Sequence, residues 1–205
     1  MPVIQGSVGQ PTGPLGIGVN PTIRQGKLGE LVIQELHGRY YETTYNQNLF
    51  YAANQAAQAI SVALNTTYTG LCVSNPAGNT KNLVLNKLMF ALSVAPAAIA
   101  SLGLITGYLQ AGVTAHTAAL TPASTFIGTG AAPSAKADSQ CTLVGTPIWT
   151  MPFMGGFTAA ALPGTSAVIV DLEGSIIIPP GGYAAIGALT AVTGFGGMFW
   201  EEVPV

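Results

Sequence analysis

Charged residues are scarce in this chain. It contains 6 Lys or Arg and 8 Asp or Glu among 205 residues, which is 7%, against about 25% in ordinary soluble domains. The net charge of −2 provides no basic surface that would bind nucleic acid by counterion release. Because 49% of the residues are hydrophobic, solubility has to come from Thr, Ser, Asn and Gln or from burying surface between subunits.

Histidine and cysteine, the residues of most catalytic and metal sites, are equally scarce. The two histidines, His37 and His116, have no second His or Cys at ligand spacing. Cys72 and Cys141 lie far apart in apolar sequence, which favours two reduced buried thiols but leaves a disulfide open. Nucleophile-elbow, dinucleotide-binding and P-loop motifs are missing. We therefore predict no enzyme, no metal and no cofactor.

The few carboxylates do not form a predicted acid–base pair. Glu201 and Glu202 are adjacent, so in a strand they point to opposite faces and cannot share a proton. One is expected to be solvated and the other to meet a Lys or Arg of a neighbour. Asp171 and Glu173 fit a solvated strand end better than half of a cation site.

No membrane-spanning segment is predicted. The longest candidate, Val94–Leu109, is interrupted by Pro96, Gly103 and Gly107, whereas a span needs about 20 consecutive apolar residues. The N-terminus has neither a basic n-region nor an apolar h-region, so we expect no signal peptide.

What is present predicts an all-β protein with an extended arm. Residues 1–29 are rich in glycine and proline, and we interpret them as an arm that is disordered alone or ordered against a neighbour. Residues 30–205 are predicted to form one antiparallel β-sandwich, because eight to ten short strands are separated by turn signals every 8–12 residues. The turn signals include Asn75–Asn79. The predicted strands include Leu31–Ile33, Arg39–Tyr45, Ile60–Tyr68, Leu83–Val94, one or two within Ala98–Leu109, Thr146–Phe153 and Ala167–Leu172. Ala52–Ala59 is ambiguous between a helical turn and a strand, and 116–140 is predicted to be a loop that carries short strands.

The stretch from Gly174 to Val205 is the most informative. Ser175–Ile178 is a short β-branched run, and Pro179–Gly182 is predicted to reverse the chain because proline fixes φ and glycine allows positive φ. Tyr183–Leu189 is apolar or small on both faces, which is typical of a strand covered on both sides. A second copy of the protein is the simplest cover for its outer side. Gly194–Gly197 is predicted to turn the chain again, into Met198–Val203.

Aromatic residues mark the expected interface. Phe199 and Trp200 are adjacent, so one should anchor the core and the other should be covered by another chain or by the arm. The tyrosines that follow the arm lack basic neighbours, which favours packing over nucleic-acid stacking. The candidate interface residues are Tyr183, Ile186, Leu189, Phe199, Trp200, Tyr40 and Tyr41.

Three runs of the sequence resemble a known group of proteins. They are RYYETTYNQNLFYAANQ (39–55), TTYTGLCVSNPAGNTKNLVLNKL (66–88) and LPGTSAVIVDLEGSIIIPPGGYAAIGALTAVTGFGGMFWEEVPV (162–205). They resemble tailed-phage and prophage virion proteins, the minor capsid or decoration proteins with a TNF-like jelly roll. The resemblance implies a homotrimer on the capsid lattice whose partner is the major capsid protein, without nucleic-acid or membrane contact, made in the bacterial host cytoplasm.

The sequence therefore leaves three candidate functions for this chain. The first is a capsid decoration, or cement, protein whose arm runs over adjacent capsid subunits. The second is a head-fibre or tail-associated module that binds a receptor or glycan through the 116–140 loop, where Phe126 and Asp138 are the available aromatic and carboxylate. The third, a cupin-like oxygenase, needs a histidine cluster with a carboxylate, which two isolated histidines do not supply.

Overall fold

The computed structural model describes residues 38–62, 64–94, 96, 98–107, 112–157 and 167–205. The predicted arm, the predicted boundary at residue 30, Leu31–Ile33 and His37 lie outside these residues. The helix and the strands of the described residues all lie within Tyr40–Val205.

Strands dominate the described residues, as predicted. The described residues form helix α1 (Tyr41–Tyr45) and strands β1 (Leu49–Ala53), β2 (Gln58–Ile60), β3 (Thr67–Ser74), β4 (Lys81–Leu92), β5 (Ala100–Thr106), β6 (Val113–Leu120), β7 (Ala123–Ser124), β8 (Lys136–Leu143), β9 (Ile148–Phe157), β10 (Ala167–Ile178), β11 (Tyr183–Ala188) and β12 (Val192–Pro204).

The strands form two antiparallel sheets packed as a sandwich, which confirms the predicted fold class. The first sheet has the order β10-β4-β12-β1-β7, with β2 also paired to β12. The second has the order β6-β8-β3-β11-β5-β9. Four pairings are nested in the chain, since β1 pairs with β12, β3 with β11, β4 with β10 and β5 with β9. The strand path is therefore that of a long hairpin rolled around the core.

The main core lies between the two sheets. Every second side chain of the strands in the first sheet points into this core. Trp200 is fully buried there, and its ring centroid lies 6.5 Å from that of Phe50. The second sheet faces it with Ala184, Ile186 and Ala188 of β11. The burial of this apolar surface is the main force that stabilises the sandwich.

The other face of β11 is covered by the protomer itself, so the expectation that a second copy covers it is wrong. Tyr183 and Ala185 belong to a second buried cluster with large side chains of the neighbouring strands. A Cβ placed at Gly187 would lie only 3.0 Å from the ring of Trp149, and the Tyr68 hydroxyl donates to the Ile186 carbonyl at 2.6 Å. Small residues on β11 thus leave room for large rings from β3 and β9.

Two predicted turns are confirmed and lie against each other. Residues 179–182 reverse the chain between β10 and β11, with φ of 82° at Gly181. Residues 75–79 connect β3 to β4. The Gly181 amide donates to the Asn75 carbonyl at 2.8 Å, and the Asn75 side-chain amide donates to the carbonyls of Lys81 and Ile178. Asn75 therefore ties three elements together at one end of the sandwich.

The turn predicted at Gly194–Gly197 is wrong, because these residues continue β12 through its pairing with β4. None of these glycines has a positive φ. They are required for space instead. A Cβ at Gly196 would lie 2.9 Å from Ile186 Cδ1, and one at Gly194 would overlap the carbonyl oxygen of Ala91.

This crowding makes Gly194→Ala a sharp test of the β12–β4 register. The new methyl group meets backbone of the paired strand, which has no rotamer to relieve the overlap. We expect a loss of about 1–3 kcal/mol of unfolding free energy, measured by urea denaturation. Gly78→Ala is the matched control, because nothing lies within 4 Å of a Cβ there. Equal stability of the two variants would contradict this register.

Two further predictions need correction, and two open ones are resolved. The Arg39–Tyr45 segment contains α1 (Tyr41–Tyr45) rather than a strand, since the Asn46 and Thr44 amides donate to the carbonyls of Glu42 and Tyr40. The strand predicted at Ile60–Tyr68 is split, because β2 pairs in the first sheet and β3 in the second, so the chain crosses between sheets over 61–66. The ambiguous Ala52–Ala59 segment contributes to β1 and β2, and the 116–140 segment contains most of β6 and β8.

Candidate interaction surface

The face of the first sheet that points away from the core is a broad apolar surface. We call it the outer face. Strand register places its side chains in rows that run across β10, β4, β12 and β1. The rows are Ala167, Ala91 and Phe195; Ile169, Met89, Gly197 and Ala53; Asp171, Lys87, Phe199 and Tyr51; and Ile177, Val84, Glu201 and Leu49.

Several large side chains of the outer face are exposed to solvent. Ile169 and Ile177 retain 62% and 55% of their accessible surface, and Phe195 retains 42%. Tyr51 and Phe199 stack with their ring centroids 5.7 Å apart. From strand spacing the face measures roughly 15 Å by 20 Å. Monomeric proteins rarely expose a larger contiguous apolar patch, and the largest patch of a monomer is often functional.

The outer face is nearly neutral. Lys87 Nζ and Asp171 Oδ1 form an ion pair at 3.2 Å, partly exposed to solvent. Glu201 lies on the same face, where burial raises the pKa of its carboxyl. The surface therefore attracts neither a strongly acidic nor a strongly basic partner, and an apolar, weakly charged partner fits it best.

A pocket of about 300 Å³ opens on the outer face beside α1. Its lining is mostly apolar and includes two of the predicted interface residues. Lining residues are Tyr40, Leu49, Asn86, Lys87, Met89, Thr125 and Phe199.

Asn86 is the unusual residue of this pocket. Only 6% of it is exposed, yet its side-chain nitrogen Nδ2 has no hydrogen-bond partner. An unpaired buried donor costs about 1–3 kcal/mol. Asn86 is an extra residue in β4, since Leu85 and Lys87 face consecutive residues of β12. Such bulges re-aim a side chain and are frequent at functional sites.

Comparison with known proteins finds no matching family model, no matching curated protein and no matching solved structure. These comparisons therefore assign no function to the chain.

The structure divides the seven predicted interface residues into two groups. Tyr183, Ile186 and Trp200 are buried inside the protomer, so they contribute no surface to an interface. Their prediction as interface residues is wrong. The other four are accessible. Phe199 and Tyr40 line the pocket of the outer face. Tyr41 and Leu189 are exposed elsewhere.

Several residues of the outer face were not predicted from the sequence, among them Met89, Ile169 and Phe195. The available signal was β10, where Ala167–Ile178 has β-branched residues at both parities. The same two-sided pattern predicts a second cover for Tyr183–Leu189, where the protomer supplies its own cover. In β10 the side chains that point away from the core are exposed.

Exposed aromatic side chains form a ladder near the pocket. Tyr41 and Tyr45 stack with centroids 5.9 Å apart, one helical turn from each other, and Tyr45 stacks on Phe126 at 6.2 Å. Phe126 belongs to the 116–140 segment, so the fold brings this segment next to α1. The meeting of these residues was not predicted from the sequence.

His116 and Asp138 form a pair on the second sheet. His116 Nδ1 lies 2.7 Å from Asp138 Oδ2, and the Asp138 side chain is fully buried with Oδ1 unpartnered. Burial raises the pKa of Asp138, and the hydrogen bond to His116 opposes this rise. The pair ties β6 to β8 through side chains as well as backbone.

The two cysteines are free and buried in one cluster. A hydrogen bond with Cys141, together with burial, raises the pKa of the Cys72 thiol. A protonated, buried thiol is a poor nucleophile. Across the part of the chain that the structure describes, no group of three or more His, Cys, Asp or Glu is arranged to hold a metal ion. None of the helices described is long and apolar enough to cross a membrane.

Proposed function

We propose that this chain is a structural virion protein, a homotrimeric decoration or cement protein on the surface of a tailed-phage head. The observation that carries the proposal is the outer face, a nearly neutral apolar sheet surface that a protomer leaves exposed. Shielding it by copies of the chain removes about 25 cal/mol of unfavourable hydration per Å² covered. The resemblance of the sequence to virion proteins supplies the location.

The strand path supports the jelly-roll part of this proposal. The nested pairs β1–β12, β3–β11, β4–β10 and β5–β9 are those of a rolled hairpin with two sheets of four strands. Strands β6, β7 and β8 lie between β5 and β9 in sequence and extend the sheets at their edges. This fold also serves other functions, so the surface argues for the function rather than the fold.

The proposed mechanism is passive reinforcement. Trimers placed over junctions between major capsid subunits bridge them by apolar and hydroxyl contacts, which resist internal DNA pressure. Because charged residues are only 7% of the chain, salt screening has little ionic contact to weaken.

Binding to phage heads tests this proposal. Purified protein is mixed with heads of the phage that encodes it, stripped of the protein, and pelleted in 0.05 M and 0.5 M salt. We expect saturable binding at a fixed copy number in both, and heads that resist heating better when it is bound. Heads that bind none of the protein would contradict the assignment.

A second candidate function is favoured by the aromatic ladder. Exposed aromatic rings are common sugar-binding surfaces, and the Tyr41–Tyr45–Phe126 ladder has Glu42 beside it. A head-fibre or tail module that binds a host glycan would use this surface. Glycan-array binding that is lost in Tyr45→Ala would favour this function, and no binding would leave the cement function in place.

A further inference from the structure

Glu201 is a carboxylate without a partner in the apolar outer face. Strand register places it in one row with Ile177, Val84 and Leu49, which are hydrocarbon side chains. Among the residues that the structure describes, none forms a hydrogen bond or an ion pair with the Glu201 side chain. Glu201 is half-buried, so its ionised form depends on the water that still reaches this row.

The cations near this row already have other partners. Lys87, in the next row, is paired with Asp171 at 3.2 Å, and Lys81 is paired with Glu202 at 3.1 Å. These two lysines are the only cations on β1, β4, β10 and β12. The remaining ionisable side chains on the elements around Glu201 are Glu173 in the β10 bulge, Glu42, Tyr41 and Tyr45 in α1, and Tyr51 in β1. All of these are acids, so none of them stabilises a second negative charge.

We propose that self-association through the outer face takes up one proton per copy, at Glu201. This inference rests on the proposed function and adds a regulation to it, because copies then associate more strongly as the pH falls. A contact between copies removes the remaining water from the row. Since an ionised carboxylate without a partner is strongly unfavourable in an apolar contact, Glu201 becomes neutral instead. Partial burial already raises the pKa of Glu201 in the protomer, and complete burial acts in the same direction.

A cation from the neighbouring copy is the alternative to a proton. The chain has only 6 Lys or Arg among 205 residues, and the outer face itself offers only Lys87, which Asp171 already neutralises. This scarcity favours the proton. The two possibilities predict opposite effects of Glu201→Gln, because a neutral amide strengthens a contact that requires a neutral group and weakens one that requires an ion pair.

The direction of the pH dependence follows from the number of protons bound in each state. Below the pKa of Glu201 in the free protomer, the carboxyl is protonated in both states, so association does not depend on pH. Above that pKa, the assembly binds more protons than the free copies do. Each further pH unit then lowers the association constant by up to about tenfold for each copy that joins. The fall ends at the pKa of Glu201 in the assembly.

Sedimentation equilibrium over about pH 5 to 8 tests this inference on the wild type and two variants. Glu201→Gln has nearly the shape of the protonated carboxyl and cannot ionise. We expect it to associate at least about tenfold more tightly than the wild type at the upper end of this range, with no change as the pH is varied. Glu173→Gln is the matched control, because Glu173 is an exposed carboxylate of the same sheet. It should keep the pH dependence of the wild type.

The results separate this inference from the proposed function. If the wild type associates equally well at every pH, if Glu201→Gln keeps the pH dependence, or if Glu201→Gln weakens association, the role of Glu201 is overturned and the proposed function stands. If the wild type is a monomer at every pH and concentration, both are overturned.

Discussion

Replacing Glu202 by alanine is expected to cost about 3–5 kcal/mol of unfolding free energy, because each buried donor left unpaired costs about 1–3 kcal/mol, and to lower Tm by roughly 10 °C. The Glu202 side chain is fully buried and accepts hydrogen bonds from the Ser134 hydroxyl, the Ser134 and Ala135 amides and Lys81 Nζ at 2.6–3.1 Å. Its removal leaves these donors without an acceptor. Thermal unfolding followed by circular dichroism measures the loss.

Glu201→Ala is the matched control for this change. Glu201 precedes Glu202 in β12 but lies on the outer face, so its replacement should change the stability of the dilute protomer by less than about 0.5 kcal/mol. Equal losses in the two variants would contradict the assignment of the faces. The salt bridge expected with a neighbouring chain is instead formed within this chain, by Lys81 and Glu202.

The Glu202 contribution also has a defined pH dependence. Burial alone would raise the pKa of Glu202, but the hydrogen bonds from Ser134, Ala135 and Lys81 outweigh it and lower the pKa below 4.5. The folded state therefore favours the ionised form, and its contribution is fully present above pH 4.5. It is lost as pH falls through the folded pKa, so the difference between wild type and Glu202→Ala should shrink there.

Replacing each of two adjacent aromatic residues should show which one stabilises the fold and which one stabilises the contact between copies. Trp200→Ala is expected to destabilise the protomer by about 3–5 kcal/mol, because the indole is fully buried between the sheets. Phe199→Ala removes a ring of the outer face, stacked on Tyr51. It should cost the dilute protomer about 1 kcal/mol at most but should weaken self-association markedly. Denaturation and sedimentation of both variants measure the two effects.

Two outcomes would contradict this prediction. Normal assembly of Phe199→Ala would show that the outer face is not the contact between copies. A fully stable Trp200→Ala protomer would show that the sandwich core is not the one described.

Much of the fold was predictable because local chemistry decides it. Pro179–Gly182 leaves little choice but a reversal, and the opposite directions of Phe199 and Trp200 follow from strand alternation. Gly194–Gly197 was not predictable in the same way. Glycine signals a turn when it is needed for φ, but here it is needed for space against Ala91 and Ile186, which only the pairing reveals.

The candidate site was less predictable for a related reason. A strand with apolar residues on both faces must be covered on both sides. Its sequence does not show whether the same protomer or another copy covers each side. For Tyr183–Ala188 the cover is Tyr68 and Trp149 of the same protomer. For Ala167–Ile178 the outer parity is exposed. Asn86 had no sequence signal at all, since a bulge depends on the register between strands.

The mass of the wild-type protein in solution tests the central claim most directly. Sedimentation equilibrium over a hundredfold concentration range distinguishes a protomer of 20.8 kDa from its multimers. If copies of the chain cover the outer face, the mass should be three times that of the protomer and should fall towards it in Phe199→Ala. A single species of 20.8 kDa at every concentration would contradict the account.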